Sequence, residues 1–338
     1  MKEFPTRFRD HRALSELPWF DLVDGELSLD AAVGPVIDVH THLALSYVLP
    51  DRVDLKRAWP ETEHYLPQAA ALDLDVYANK NFSKTDLANL EADLVWKSVT
   101  RGGMRRTHTL PNLAREMERL GVKSSILLAI DFPVLSDNAG SWLKAAQGDS
   151  RFVVFGSVHP YKLGMRRALD RQVALGARGI KVHPAVQSVF PQDPRAMKLY
   201  RLCGERRLPV FFHCGPVGIE PALGRAMTQV RHYEKPIAKN PNTTFVLGHS
   251  GALQLEAGIR LANEYPNVWL ETSSQSLSGV RRLLESAPRD RLLIGSDWPF
   301  YHLAVPIAKA LIATEGEPEL RASVLQKNAE RLLGLAAS

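Results

Sequence analysis

Short runs of apolar and β-branched residues recur along the chain, and most are followed by a stretch whose apolar positions fall three and four residues apart. The first pattern suits a strand buried on both faces, the second an amphipathic helix that covers it. Their alternation predicts a parallel sheet wound by crossover helices. Eight runs qualify: Val36 to His40, Ser125 to Ile130, Phe152 to Val158, Gly179 to His183, Pro209 to His213, Thr244 to His249, Asn267 to Thr272 and Leu292 to Asp297. Helical spacing occupies Met165 to Leu175, Pro194 to Arg207, Ala252 to Tyr265 and Val280 to Ser286. Eight strand–helix units predict an α/β fold, a (β/α)8 TIM barrel spanning residues 36 to 334.

One crossover is too long for its task. Between Leu43 and Lys123 the helix Leu110 to Leu120 suffices, which leaves residues 44 to 109 as an insertion with helical spacing of its own at Thr85 to Thr100. The insertion leaves the first strand at its carboxyl end, the face where barrel enzymes build their sites, so it is placed to act as a lid. Its aromatic residues Trp59, Tyr65, Tyr77 and Trp96 also suit an interface between subunits, and a homo-oligomer is expected. Residues 1 to 35 read as an amino-terminal extension, and Glu317 to Leu333 as a last outer helix.

Composition narrows the partners. A chain of 338 residues accommodates one barrel with an insertion. With only Cys203 and Cys214 there is no disulfide framework, and neither a signal peptide nor an apolar stretch near the ~20 residues of a membrane span is present. A cytoplasmic protein without a membrane partner is expected. Net charge is +5, and the basic cluster Arg101 to Arg106 reads as a solvated loop or an anion patch. No aromatic residues interleave with it, which argues against nucleic acid. The expected partner is a small molecule.

The chemistry gathers at strand ends. Of eleven histidines, His40, His42, His159, His183, His213 and His249 all fall there, and Asp297 ends the eighth run. His40 and His42 are two apart on one strand, so both imidazoles can converge on one cation, and zinc accepts imidazole nitrogen together with carboxylate oxygen. Plainer readings stand beside these. Asp297 could cap the following helix. Lys181 shares a face with Gly179 and His183 and would need a carbamate, a carboxylate partner or substrate if it points inward, or it is solvated outside. His183 and His159 each precede a proline and could bond to backbone. Trp298 is rim packing or a pocket wall, and His302 lines the pocket or sits with His64, His108 and His232 as a satisfied histidine. Cys214, on the opposite pleat from His213, packs.

Taken together, the His40/His42 pair, Gly179-Ile180-Lys181-Val182-His183-Pro184, His213 with Gly215, Gly248-His249 and Gly295-Ser296-Asp297 resemble the amidohydrolase superfamily, in particular its amidohydrolase 2 branch of barrel hydrolases and decarboxylases. The resemblance implies that His40, His42 and Asp297 bind a first metal, that His213 is a ligand, and that His249 is either a second-metal ligand or catalytic. Lys181 falls where some members carry a carbamylated lysine bridging two metals. The implied cofactor is Zn2+ or Mn2+, one or two ions per chain. Asp297 would take a proton from metal-activated water and His249 would polarise the carbonyl or shuttle a proton, with His183, Trp298 and His302 toward the substrate. Hydrolysis of an amide or lactone carbonyl is the expected activity. Its rivals are non-oxidative decarboxylation of a small carboxylic acid and a non-catalytic barrel that binds a metal or small molecule.

Overall fold

The structure, a computed structural model, describes residues 3–46, 53–95, 97, 100, 102–132 and 136–335. Eight parallel strands form one sheet: β1 (Val36–Thr41), β2 (Val122–Leu128), β3 (Phe152–Gly156), β4 (Gly179–Val182), β5 (Val210–His213), β6 (Phe245–Gly248), β7 (Val268–Glu271) and β8 (Leu292–Leu293). Each lies beside the next in chain order. The ring returns to β1 through the Val39 N–H donating to the Ile294 carbonyl at 3.0 Å, the Asp297 N–H donating to the His40 carbonyl at 2.7 Å, and a parallel bridge between Thr41 and Trp298. The expected α/β TIM barrel is thus the observed one. Only Leu292 and Leu293 of the last run pair in a ladder; the residues to Asp297 continue as single bonds to β1.

The inside of the barrel is packed. Ile37, Val39, Ile126, Leu128, Phe155, Phe211, Val246, Trp269 and Leu293 form one buried cluster, closed beneath by Ala329 and Leu333 of the final helix. The crossover helices cover the outside with their apolar faces, as Leu113, Met117, Leu199, Leu261 and Leu283 show by full burial in a second, larger cluster.

A register shift in β1 decides where its histidines point. Asp38 lies opposite Ser125 but Thr41 lies opposite Leu127, so three steps on β1 match two on β2. Strict alternation from the inward Ile37 and Val39 would send His40 outward. The extra residue turns it in, which is what a β-bulge does beside a functional site.

The flanking segments are integral to this body. The amino-terminal segment holds a hairpin, Phe20–Val23 with Glu26–Leu29, whose Asp24-Gly25 turn has both φ angles positive, at 54° and 79°. Arg7–Phe8 pairs antiparallel with Leu72–Asp73 of the insertion. The insertion carries a short turn of helix at Ala78–Asn81 and a helix at Lys84–Val95, and its Leu55, Tyr65, Leu66, Leu74, Phe82 and Leu90 join the main core. Its backbone also bonds the barrel rim, with Tyr65 N–H to the Pro299 carbonyl (3.1 Å), Leu66 N–H to Phe300 (3.0 Å) and Ala78 N–H to Ser274 (2.8 Å). The basic cluster bonds within the insertion: the Arg105 guanidinium is buried and donates to the Thr100 carbonyl, and Arg106 pairs with Glu63 at 3.0 Å. Arg101 and Trp96 lie outside the described residues.

Candidate active site

At the carboxyl ends of the strands lies a cavity of about 560 Å3, with His40, His42, His183, His213, His249 and Asp297 among its lining residues. Six of the residues expected at the site therefore meet in one place, and Lys181 is buried just beneath them.

Two rings are held so that one nitrogen each is free. The Nδ1 of His42 lies 2.8 Å from the Leu128 carbonyl, and that of His40 lies 2.9 Å from Glu271 Oε2. The carbonyl contact puts a proton on His42 Nδ1, and His40 carries one there when it donates to Glu271, which leaves a lone pair on each Nε2. Those two Nε2 atoms lie 3.4 and 3.3 Å from the same oxygen, Asp297 Oδ1. Two imidazole nitrogens and a carboxylate oxygen thus face one point, the donor set zinc and manganese take. Asp297 holds its pose with a left-handed backbone (φ 61°), which its short polar side chain tolerates.

Glu271 is the residue that pattern reading missed. Fully buried, it accepts from His40 Nδ1, from the His249 backbone N–H at 3.0 Å, and from the backbone N–H and the hydroxyl of Ser273, the latter at 2.8 Å. Four donors aimed at one carboxyl group make it the orienting partner of His40, not a free ligand. Burial pushes its pKa up to about 8, against the pull of the His249 and Ser273 donors. Its signal in the sequence was the single acidic residue in the run Val268-Trp269-Leu270-Glu271, in step with the inward Trp269.

His249 and His213 form a second pair, Nε2 to Nδ1 at 3.2 Å, with His249 Nδ1 2.8 Å from the Ser273 hydroxyl. His249 joins His40 and Glu271 in a second cluster of close donors; His213 belongs to neither cluster among the described residues. Burial holds His249 down to about 4 and lowers His40, His183 and His213 well below the ordinary range. Burial thus favours the neutral form of each ring, the form in which an imidazole can bind a metal. The chain around His249 is strained: His249, Ser250 and Ala252 all have positive φ, near 50°.

His183 makes the backbone bond expected of it and also lines the cavity. Its Nδ1 accepts from the Val186 N–H at 3.4 Å, capping the turn that follows, and its ring stacks on His213 with centroids 3.9 Å apart at 9° on the cavity wall. Lys181 Nζ lies 3.4 Å from His40 Nε2 and 4.7 Å from the centre of the Phe211 ring, and forms no ion pair within 4 Å among the described residues. Burial lowers it to about 8, while Asp297 and Glu271 pull it the other way.

Trp298 and His302 do not reach the cavity. Trp298 is fully buried, with its carbonyl accepting from the His42 N–H at 2.7 Å and its ring against His64 and His108. His302 belongs to a separate cluster, 3.7 Å from Glu116 and in tilted ring contact with His11 and His64, and lines a smaller cleft. Both follow β8, but the chain turns away from the metal end after Asp297. Asn79, Glu220 and Ser274, which no motif marked, do line the cavity.

Fold and site together define a barrel whose strand ends carry groups that could hold a metal ion. The amidohydrolase family model matches residues 37–335, and the chain belongs to that family, which is one of enzymes. No curated protein matches the chain. Solved structures share the fold. An uncharacterised TIM-barrel protein from Bordetella bronchiseptica is 18% identical with a TM-score of 0.61, over 89% of this chain and 98% of its own. A protein described as a probable 2-pyrone-4,6-dicarboxylic acid hydrolase from Acinetobacter baumannii is 14% identical with a TM-score of 0.57, over 89% and 99%. The manganese complex of 5-carboxyvanillate decarboxylase from Novosphingobium aromaticivorans is 16% identical with a TM-score of 0.58, over 90% and 97%. Among the described residues, no helix is long and apolar enough to cross a membrane.

Proposed function

We propose that this chain is a metal-dependent hydrolase acting on the carbonyl of an amide or lactone. The observation that carries the reading is the convergence of His40 Nε2, His42 Nε2 and Asp297 Oδ1 at the cavity floor. Zn2+ or Mn2+ held by these three would polarise a carbonyl and lower the pKa of a bound water from about 15.7 to about 7. A manganese-bound neighbour of the same fold supports a site of this kind.

The remaining roles belong to the chain's own groups. Asp297, open to the cavity, takes a proton from the attacking water and returns it to the leaving group. The neutral His249 hydrogen-bonds the substrate oxygen, and His183, fixed by its stack on His213, forms a flat wall beside it. Glu271 holds His40. Lys181 acts as a cation: its Nζ sits over the Phe211 ring, where an ammonium is attracted and a carbamate would be repelled, and it offsets the charge of Asp297. Carbon-13 NMR of protein grown with labelled bicarbonate tests this, since a carbamate signal would reverse the assignment.

Decarboxylation is the second reading, because neighbours on this fold include named decarboxylases. One experiment separates the two. The metal-loaded protein is offered lactones and amides, and separately aromatic and enoic carboxylates, while base uptake and carbon dioxide are followed together. Base uptake without gas supports hydrolysis; gas release from a carboxylate establishes the rival.

A further inference from the structure

The cavity wall says more about the substrate than the metal donors do. Leu45, Ile130, Phe132, Val186, Met227 and Phe300 are among its many apolar side chains, and no Lys or Arg lines it among the described residues. Apart from histidines, the charged groups on that described wall are both carboxylates, Asp297 and Glu220. Glu220 accepts from the Val217 N–H through Oε1 at 3.0 Å, while its Oε2 is buried with no hydrogen-bond partner among the described residues. A buried acceptor without a donor is costly unless a ligand supplies one.

The mouth carries an independent signal. Val95, Ile219 and Leu223 line the cavity yet are 52%, 40% and 63% exposed, so three of the prominent exposed apolar side chains among the described residues gather at one cavity. Exposed apolar residues gathered in this way mark a binding surface.

We infer that the substrate is a neutral molecule with a mainly apolar body and a hydroxyl or N–H group that donates to Glu220 Oε2, its reacting carbonyl lying at the floor. The position of the carbonyl rests on the hydrolase reading; the class of ligand rests on the wall. A carboxylate on the ligand would enter a mainly apolar space beside the Glu220 carboxyl group, and a cavity of about 560 Å3 accommodates a ligand of twenty or so heavy atoms.

The test uses the zinc-loaded full-length protein and three γ-lactones with seven-carbon tails ending in methyl, hydroxyl or carboxylate. Lactone opening is read by base uptake and binding by titration calorimetry. The hydroxyl-tailed lactone is expected to exceed the carboxylate-tailed one at least tenfold in kcat/KM. Leu223→Arg, at an exposed position, is expected to cut that ratio at least threefold. Equal or better use of the carboxylate-tailed compound overturns the inference. Should none of the lactones open, calorimetry still decides: tighter binding of the neutral compounds upholds the ligand class while the hydrolase reading fails, and absent or carboxylate-favoured binding overturns the class.

Discussion

His40 Nδ1 lies 2.9 Å from Oε2 of Glu271, and both side chains are buried, at 1% and 0% exposure. Glu271 therefore fixes the tautomer and direction of the first imidazole. Glu271→Gln keeps an oxygen acceptor in place but removes the carboxyl group, and the loss of such an orienting partner typically weakens metal binding about 10- to 100-fold. Chelator-competition titrations are expected to show at least the lower figure. Unchanged affinity would make Glu271 a packing residue only.

Gly295 presses on the same pair. A Cβ built there would stand 2.7 Å from the His40 Cβ and closer still to Glu271 Oε1. Gly295→Ala is accordingly expected to displace His40 and reduce bound zinc, measured by elemental analysis, even though alanine is small. Full occupancy in this variant would show that His40 can move without cost.

Asp297→Asn retains an oxygen for the metal but has lost the base. Turnover is expected to fall by about 10²-fold or more while at least half of the metal remains. Near-normal kcat would assign Asp297 to structure alone.

His108 offers a test of pH dependence away from the metal donors. Burial lowers its pKa to about 3, and its Nε2 lies 2.8 Å from the Glu63 carbonyl. The folded value lies below the ordinary 6.5, so the unfolded chain binds this proton first as pH falls. The stability from a neutral His108 is complete above pH 6.5 and is lost as pH falls toward about 3. Each pH unit in that window costs about 1.4 kcal/mol for one such group. His108→Gln, which keeps a donor, is expected to reduce the wild-type pH slope of urea-unfolding free energy by about this amount. An identical slope would contradict the burial of a neutral ring.

The insertion supports two functions at once. Leu45, Asn79, Leu94 and Val95 line the cavity, while Tyr65, Leu66 and Leu90 are buried in the core. A dispensable lid, as the sequence pattern suggests, would leave a folded, metal-binding barrel on removal. The packing predicts instead that replacing residues 47–105 with a short glycine–serine connection abolishes the cooperative thermal transition. A sharp transition at the wild-type temperature would restore the lid-only view.

Strand periodicity and turn chemistry are local properties, so the eight strands, the long first crossover and the clustering of histidines at strand ends were all legible in the chain. A single divalent site needs imidazole and carboxylate side by side, and the residues able to supply them already stood out in the His40/His42 pair and in Asp297. Tertiary structure decided what distance along the chain conceals. Only the register offset of β1 against β2 turns His40 inward, since alternation alone would place it outside. Only closure of the ring sets β7 two strands from β1 and brings Glu271 to His40, a contact spanning 231 residues that no spacing rule anticipates. The same closure takes Trp298 and His302 out of the cavity. Their nearness to Asp297 in sequence carried no information about the direction in which the chain turns, because that direction is set by packing against His64, His108 and Glu116 from distant segments.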